Sequence, residues 1–396
     1  MNAATNIFLT GAGALVLTLV FYDIYATILR ATKRPGPFSE FLNRGLWRIA
    51  TRLTQNLDRR RRHRVLSAVG PLLMPLLIAL LISMLLTGFA LIYLPRIETG
   101  FKIAESPPAG ALLQAFYFSG VTLLTIGYGD ILPISGSTRV LALVEGACGI
   151  AVISLSITYL LTVYRALERK RALALNFYHQ ARQGADIPGF ISNHFARGRF
   201  HSLTETLREA TRDLQELLES HIEHPVIHYF HPVEVYKGFP RALFVVLETE
   251  AILNAHVDEA EYIEAGDHPD VLIAGDNARH VLAELLTSLK LEKQANEPFE
   301  SADKTNARQR KAFARAMNHL RQNKIKTRDD IEQAFLEYSE DRGGWESKLF
   351  HFADFLGYDW NEVTGDNDLE DATDDEVTER HEGLTAESGA EKRDKQ

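Results

Sequence analysis

An apolar run at residues 111–124 lies between two others, Gly70 to Leu94 and Val140 to Tyr164, and it is too short for what they can do. A hydrocarbon core of about 30 Å takes roughly 20 helical residues. The flanking runs meet that length, as does a further run from Ile7 to Leu29; the middle one does not. A chain that enters the membrane as so short a helix must turn inside it, and the turn falls on TIGYGD, residues 125–130. Non-helical backbone at that depth is tolerated only where protein buries it or it lines a polar cavity. Gly127 and Gly129 permit alternating backbone signs, so that successive carbonyls face one way.

Four such ribbons around an axis would stack rings of carbonyl oxygens able to replace the water shell of a cation. The segment AFYFSGVTLLTIGYGDILPISGSTRVLALVEGACGI, residues 115–150, together with the helix before it, resembles the tetrameric potassium channels. The resemblance does not cover the first apolar run or the second half of the chain. It implies that the carbonyls of Thr125, Ile126, Gly127, Tyr128 and Gly129 bind the transported ion, K+, and that Asp130 stands at the external mouth. Tyr117 falls where relatives place an aromatic donor toward that aspartate, and simple packing is its other reading. Gly149 falls at the family's hinge position, although glycine in a membrane helix equally serves close packing. Ile153, Ile157 and Leu161 recur at helical spacing below it, as a cavity or gate lining or as a lipid-facing stripe. Glu145 is costly in a membrane helix and is expected to bond the pore helix behind the filter. Asp23 poses the same problem in the first run.

Charge sets the expected orientation. Residues 30–64 carry a large Lys/Arg excess opposed only by Glu40 and Asp58, and RALERKR follows the third span. Basic loops stay in the cytoplasm. The expectation is therefore an inner (cell) membrane protein with its N-terminus outside, three crossings and a cytoplasmic C-terminal half. MNAATN has no positive charge and no cleavage site follows, so the first run reads as a retained helix rather than a signal peptide. Phe38, Phe41, Leu42, Leu46, Ile49 and Leu53 mark one face of an amphipathic helix in the basic loop, suited to the membrane surface or to packing on the protein itself. Its basic face and Arg59–Arg62 would attract anionic lipid heads.

The second half reads as a helical domain, with capping starts at Ser202 and Thr327 and further helices near residues 241–255, 271–289, 307–321 and 345–356. No GxGxxG follows a strand and no β-roll alternation is present, so its ligand is unidentified. SHIEHPVIHYFHP brings His221, His224, His228 and His231 together at spacings that would serve zinc, nickel or a proton sensor. Pro225 and Pro232 interrupt any single helix there and no cysteine is near, which favours ordinary packing. The end of the chain is acidic and poor in large apolar residues, as disordered tails are. A calcium loop from Asp366 fails, because Asp371 and Val377 replace its glycine and its glutamate.

The expected architecture is all-α. It comprises an N-terminal transmembrane helix (1–30), a basic amphipathic linker (31–65), a pore domain (66–165), a helical regulatory domain (166–363) and an acidic tail (364–396). The expected function is that of a potassium-selective channel subunit, a homotetramer since one chain supplies a quarter of the ring, gated by its cytoplasmic half. No enzymatic constellation, organic cofactor or nucleic-acid partner is implied. The expected partners are further copies of the chain, membrane lipids and an unknown cytoplasmic ligand. The alternative is a non-conducting membrane sensor or scaffold with a channel-like fold.

Overall fold

The computed structural model describes all residues except 1, 31–34, 105–109, 183, 259, 264, 267 and 367–396. The acidic tail beyond Asp366 thus lies outside the described residues. The fold is all-α, with only two short two-stranded pairings among the described residues. Among the described residues three helices are long and apolar enough to cross a membrane, within Ala3–Leu29, Arg59–Gly100 and Gly136–Tyr178. The chain forms two compact units. The first comprises Met1–Asp58, Ser67–Leu167 and Ser220–Phe230; the second comprises Arg59–Leu66, Glu168–Glu219 and His231–Gln396.

In the first unit, α1 (Ala3–Ile24) ends in a π-helical turn, Tyr25–Leu29. Asp23 at that end is fully buried. Its carboxylate accepts from the Phe38 amide (2.7 Å), the Ser39 amide (3.3 Å) and the Ser39 hydroxyl. Those amides are orphan donors at the start of α2 (Pro37–Thr54), so a charge that is costly in a membrane helix becomes the anion at another helix's positive end. The face of α2 that packs inward is Ser39, Asn43, Trp47, Ala50 and Thr54, while Phe41, Ile49 and Leu53 stay exposed in the single chain. Phe38, Leu42 and Leu46, the other members of the apolar set, are half-buried.

Helix α3 (Arg59–Tyr93) tolerates Pro71 and Pro75 in its interior, as membrane helices do. A short turn, α4 (Ile97–Gly100), leads into β1 (Phe101–Ile103), which pairs antiparallel with β2 (Ile131–Pro133), Lys102 opposite Leu132. Between them lies the short apolar helix α5 (Ala111–Leu123), and after them the long helix α6 (Gly136–Tyr178).

The second unit is built around α9 (Phe239–His256), whose residues are buried on nearly every side, the mark of a central core helix. Around it lie α7 (Ile187–Asn193), α10 (Pro269–Leu289), α11 (Ala302–Gln322), α12 (Ile331–Phe355) and α13 (Trp360–Thr364), with α8 (Leu203–Glu223) and a small hairpin, β3 (Phe195–Ala196) with β4 (Arg199–Phe200), completing the element order. Two buried carboxylates of α9 take bonds from neighbouring helices: Glu250 a bidentate pair from Arg279 at 2.6 and 2.7 Å, and one oxygen of Glu248 the Tyr338 hydroxyl at 2.5 Å. The second capping start is displaced from its expected place. Helix α12 starts after Asp330, while Thr327 bridges to Val257 and accepts from Arg321.

Candidate functional site

The short helix α5 sets the site, because its C-terminus delivers the TIGYGD segment. Its last turn runs on through bonds from the Leu124 amide to the Gly120 carbonyl (3.0 Å) and the Thr125 amide to the Thr122 carbonyl (3.0 Å). The Ile126 amide then reaches back to the Val121 carbonyl (2.8 Å), and the Gly127 amide to the same oxygen at 3.4 Å. From there the backbone alternates: Thr125, Gly127 and Gly129 have φ of 56°, 66° and 80°. Left-handed backbone suits the two glycines. In a β-branched residue such as Thr125 it is a genuine outlier, which persists only where surrounding bonds over-determine it. Residues 124–129 are exposed in the single chain, Tyr128 at 70%.

The far end of the ribbon is tied down. The Asp130 carbonyl accepts from the Ala104 amide (2.9 Å) just beyond the β1–β2 pair, and its carboxylate accepts from the Ile131 amide (3.1 Å). The Tyr117 hydroxyl, on α5, lies near the Asp130 carboxylate and interacts with it electrostatically. Behind the ribbon, Glu145 of α6 is fully buried and accepts from the Ser119 hydroxyl (2.5 Å) and the Tyr93 hydroxyl (2.8 Å). Ser119 is also within bonding distance of the Leu86 carbonyl (3.0 Å), and Tyr93 packs edge-on against Phe101 and Phe118. One carboxylate thereby joins α3, α5 and α6. Ser119 and Tyr93 were not singled out from sequence. An ionisable residue in a span requires donors, and the few polar side chains of the neighbouring apolar segments were the signal that names them.

At Gly149 the structure shows close approach. A Cβ built there would lie 1.9 Å from the Leu123 carbonyl oxygen, at the end of α5, and α6 runs through this position unbroken. Ile153, Ile157 and Leu161 lie further along α6, 40%, 56% and 56% exposed in the single chain.

The four histidines do not converge. His221 and His228 face each other with ring centroids 4.9 Å apart, and His224 packs edge-on to Tyr159 at 5.3 Å. His231 turns elsewhere: its Nε2 is 2.6 Å from Nδ1 of His63, whose Nε2 is 2.8 Å from Glu362. Among the described residues no group of three or more His, Cys, Asp or Glu side chains is placed to hold a metal ion. The physical reason is Pro225, which ends α8 and starts a 3-10 turn, Pro225–Tyr229, so that no helical face carries all four rings.

A sequence model of the ion-channel family matches residues 77–166. An uncharacterised membrane protein of Bacillus subtilis (strain 168), YdjJ, is 28% identical over 248 residues, which is 63% of this chain and 70% of that protein. Protein LctB of Geobacillus stearothermophilus is 37% identical over 71 residues, 16% of this chain and 52% of its own length. The voltage-gated potassium channel Kch of Escherichia coli (strain K12) is 43% identical over 53 residues, 13% of each chain. No solved structure matches.

Proposed function

We propose that four copies of this chain assemble a potassium-selective channel whose filter is the segment 125–129; the match of an ion-channel family model to residues 77–166 supports the reading. The observation that carries the reading is the alternation of positive φ at Thr125, Gly127 and Gly129 in an exposed ribbon anchored at both ends. Such alternation turns successive carbonyls toward one side, where four chains would close rings around a dehydrated ion. Asp130 of each chain, oriented by Tyr117, concentrates cations at the outer mouth. Glu145 holds the pore helix in place through Ser119. Ile153, Ile157 and Leu161 line the cavity below, and motion of α6 around Gly149 opens it. The N-terminus lies outside and the cytoplasmic half biases opening, in a cell membrane whose anionic lipids meet α2. The chain carries out passive transport and no catalysis.

Flux assays on protein in liposomes test this. Potassium is expected to pass well ahead of sodium, and equal permeability would sink the assignment. Gly127→Ala is expected to abolish flux with assembly intact. Open space surrounds a Cβ at that position, so the substitution acts through its left-handed φ of 66°, at roughly 1–2 kcal/mol in each chain.

A further inference from the structure

The second unit contains a cavity of about 390 Å³ between α9, α11, α12 and α13, a volume within the range of small-molecule sites. Its charged lining is Glu248, Arg308, Lys311, Arg315, Arg342 and Asp366, four cations against two carboxylates. The two deepest members are incompletely satisfied. Arg342 is 2% exposed and Glu248 5%, yet Nε of the arginine and Oε2 of the glutamate have no protein partner. Both atoms lie below the accessible surface, so they mark a charged, under-bonded layer directly behind the cavity wall.

The cationic groups are held in place. Arg308 is fixed by Glu300 and Glu346, each at 2.6 Å, and its guanidinium lies over Phe299 at 5.2 Å. Arg342 is held by Glu346 at 2.5 Å and by the Tyr338 hydroxyl at 2.7 Å, with Trp345 at 5.4 Å. Arg315 is half exposed and pairs with Asp366 at 2.8 Å, so one cation of the lining is reachable from solvent. Planar guanidinium groups in fixed positions match phosphoryl oxygens, and little side-chain entropy remains to be lost on binding.

We propose that this cavity binds a small phosphorylated molecule, its phosphoryl group taken by Lys311 and Arg315 at the solvent-reachable side of the lining, with Arg308 and Arg342 supplying fixed positive charge behind it. The site itself does not depend on the channel reading; only its use as a gating input rests on that reading. The shared chemistry of a soluble glycerol phosphate and a phosphatidylglycerol headgroup fits the same groups, and the experiment separates these sources.

Calorimetric titration of the purified full-length chain in detergent with glycerol 3-phosphate and glucose 6-phosphate, against glycerol and glucose, is the test. Saturable binding of one phosphorylated probe per chain is expected, with no heat from the unphosphorylated partner. Lys311→Glu combined with Arg315→Gln is expected to weaken it at least tenfold while circular dichroism and the thermal midpoint are unchanged, both positions being exposed. Displacement of glycerol 3-phosphate by phosphatidylglycerol in nanodiscs upholds the site with a lipid as its source; failure to displace upholds it with a soluble metabolite. Absence of saturable binding up to on the order of 10 mM, or equal affinity in the double variant, overturns the proposal. Binding in a preparation that passes no potassium leaves this site standing and removes the channel reading.

Discussion

Gly149 and Gly146 stand one turn apart on the same helix and make opposite demands. A Cβ at Gly149 meets the Leu123 carbonyl at 1.9 Å, whereas one at Gly146 meets the Thr122 carbonyl at 3.9 Å, ordinary contact. Gly149→Ala is therefore expected to push α6 off the end of the pore helix and lower the thermal stability of the assembled protein by several degrees. Gly146→Ala should leave it unchanged within a degree or two. Size-exclusion chromatography of heated samples reads both. Glu145 permits a similar contrast. Glu145→Gln retains an acceptor for the Tyr93 hydroxyl, while Glu145→Leu strands that buried donor at a cost of about 1–3 kcal/mol. If the leucine variant proves as stable as the glutamine variant, the carboxylate is not what joins these helices.

At the scale of elements, the first turns of α3 are fastened to α13 by a buried chain of polar groups. Arg59 and His63 both reach Glu362, His231 stacks on His63, and Tyr358 lies against both rings. Burial pushes the His231 imidazole down to about 3, and the neighbouring His63 and Lys170 act the same way. Glu362 is held down at about 2 because the bonds and charges of His63 and Arg59 outweigh its burial. Both groups bind protons more weakly when folded. The stability they confer is complete above pH 6.5, the ordinary histidine value, and falls through the His231 window from 6.5 to about 3. The loss linked to Glu362 adds below 4.5. The thermal midpoint is expected to drop between pH 7 and 5, and His231→Gln to flatten that drop; an identical slope in the variant would remove His231 from the account. Sequence spacing grouped His231 with three other histidines because it measures distance along the chain. The true partners, His63 and Glu362, are separated from it by 168 and more than 130 positions, and no local pattern encodes that pairing. The pore segment was legible for the converse reason. A short apolar helix, the GYGD turn and the flanking spans are contiguous, and the bilayer leaves few ways to fold them. The start of α12 was misplaced at Thr327 because a β-bridge to Val257 claims that residue, again a non-local event.

For the whole molecule, helix α6 runs from Gly136 to Tyr178 without a break, so that it begins in the first compact unit and ends in the second. On the proposed channel reading, a ligand of the second unit would shift opening only by its difference in affinity for the two states. Truncation after Arg182 is expected to leave a potassium-selective pore with altered open probability, and a Gly-Ser insertion there to uncouple regulation while selectivity holds. Single-channel recording in bilayers checks both. Identical open probability in full-length, truncated and linker-bearing channels across pH, divalent cations and cell extract would make the second unit an assembly or docking module instead.

The carboxylate of Asp23, which caps the first turn of α2, also fixes how deep α1 can sit. The 22 residues of α1 give a rod of about 33 Å, close to the thickness of the hydrocarbon it crosses. Because its C-terminal end is fastened to a helix that presents Phe41, Ile49 and Leu53 outward in the single chain, the position of α1 along its axis is tied to that of α2. The tilt of this helix is therefore set from two sides, by the Asp23 cap at one end and by the close approach of Gly13 to Gly88 of α3 along its length, rather than by α1 alone.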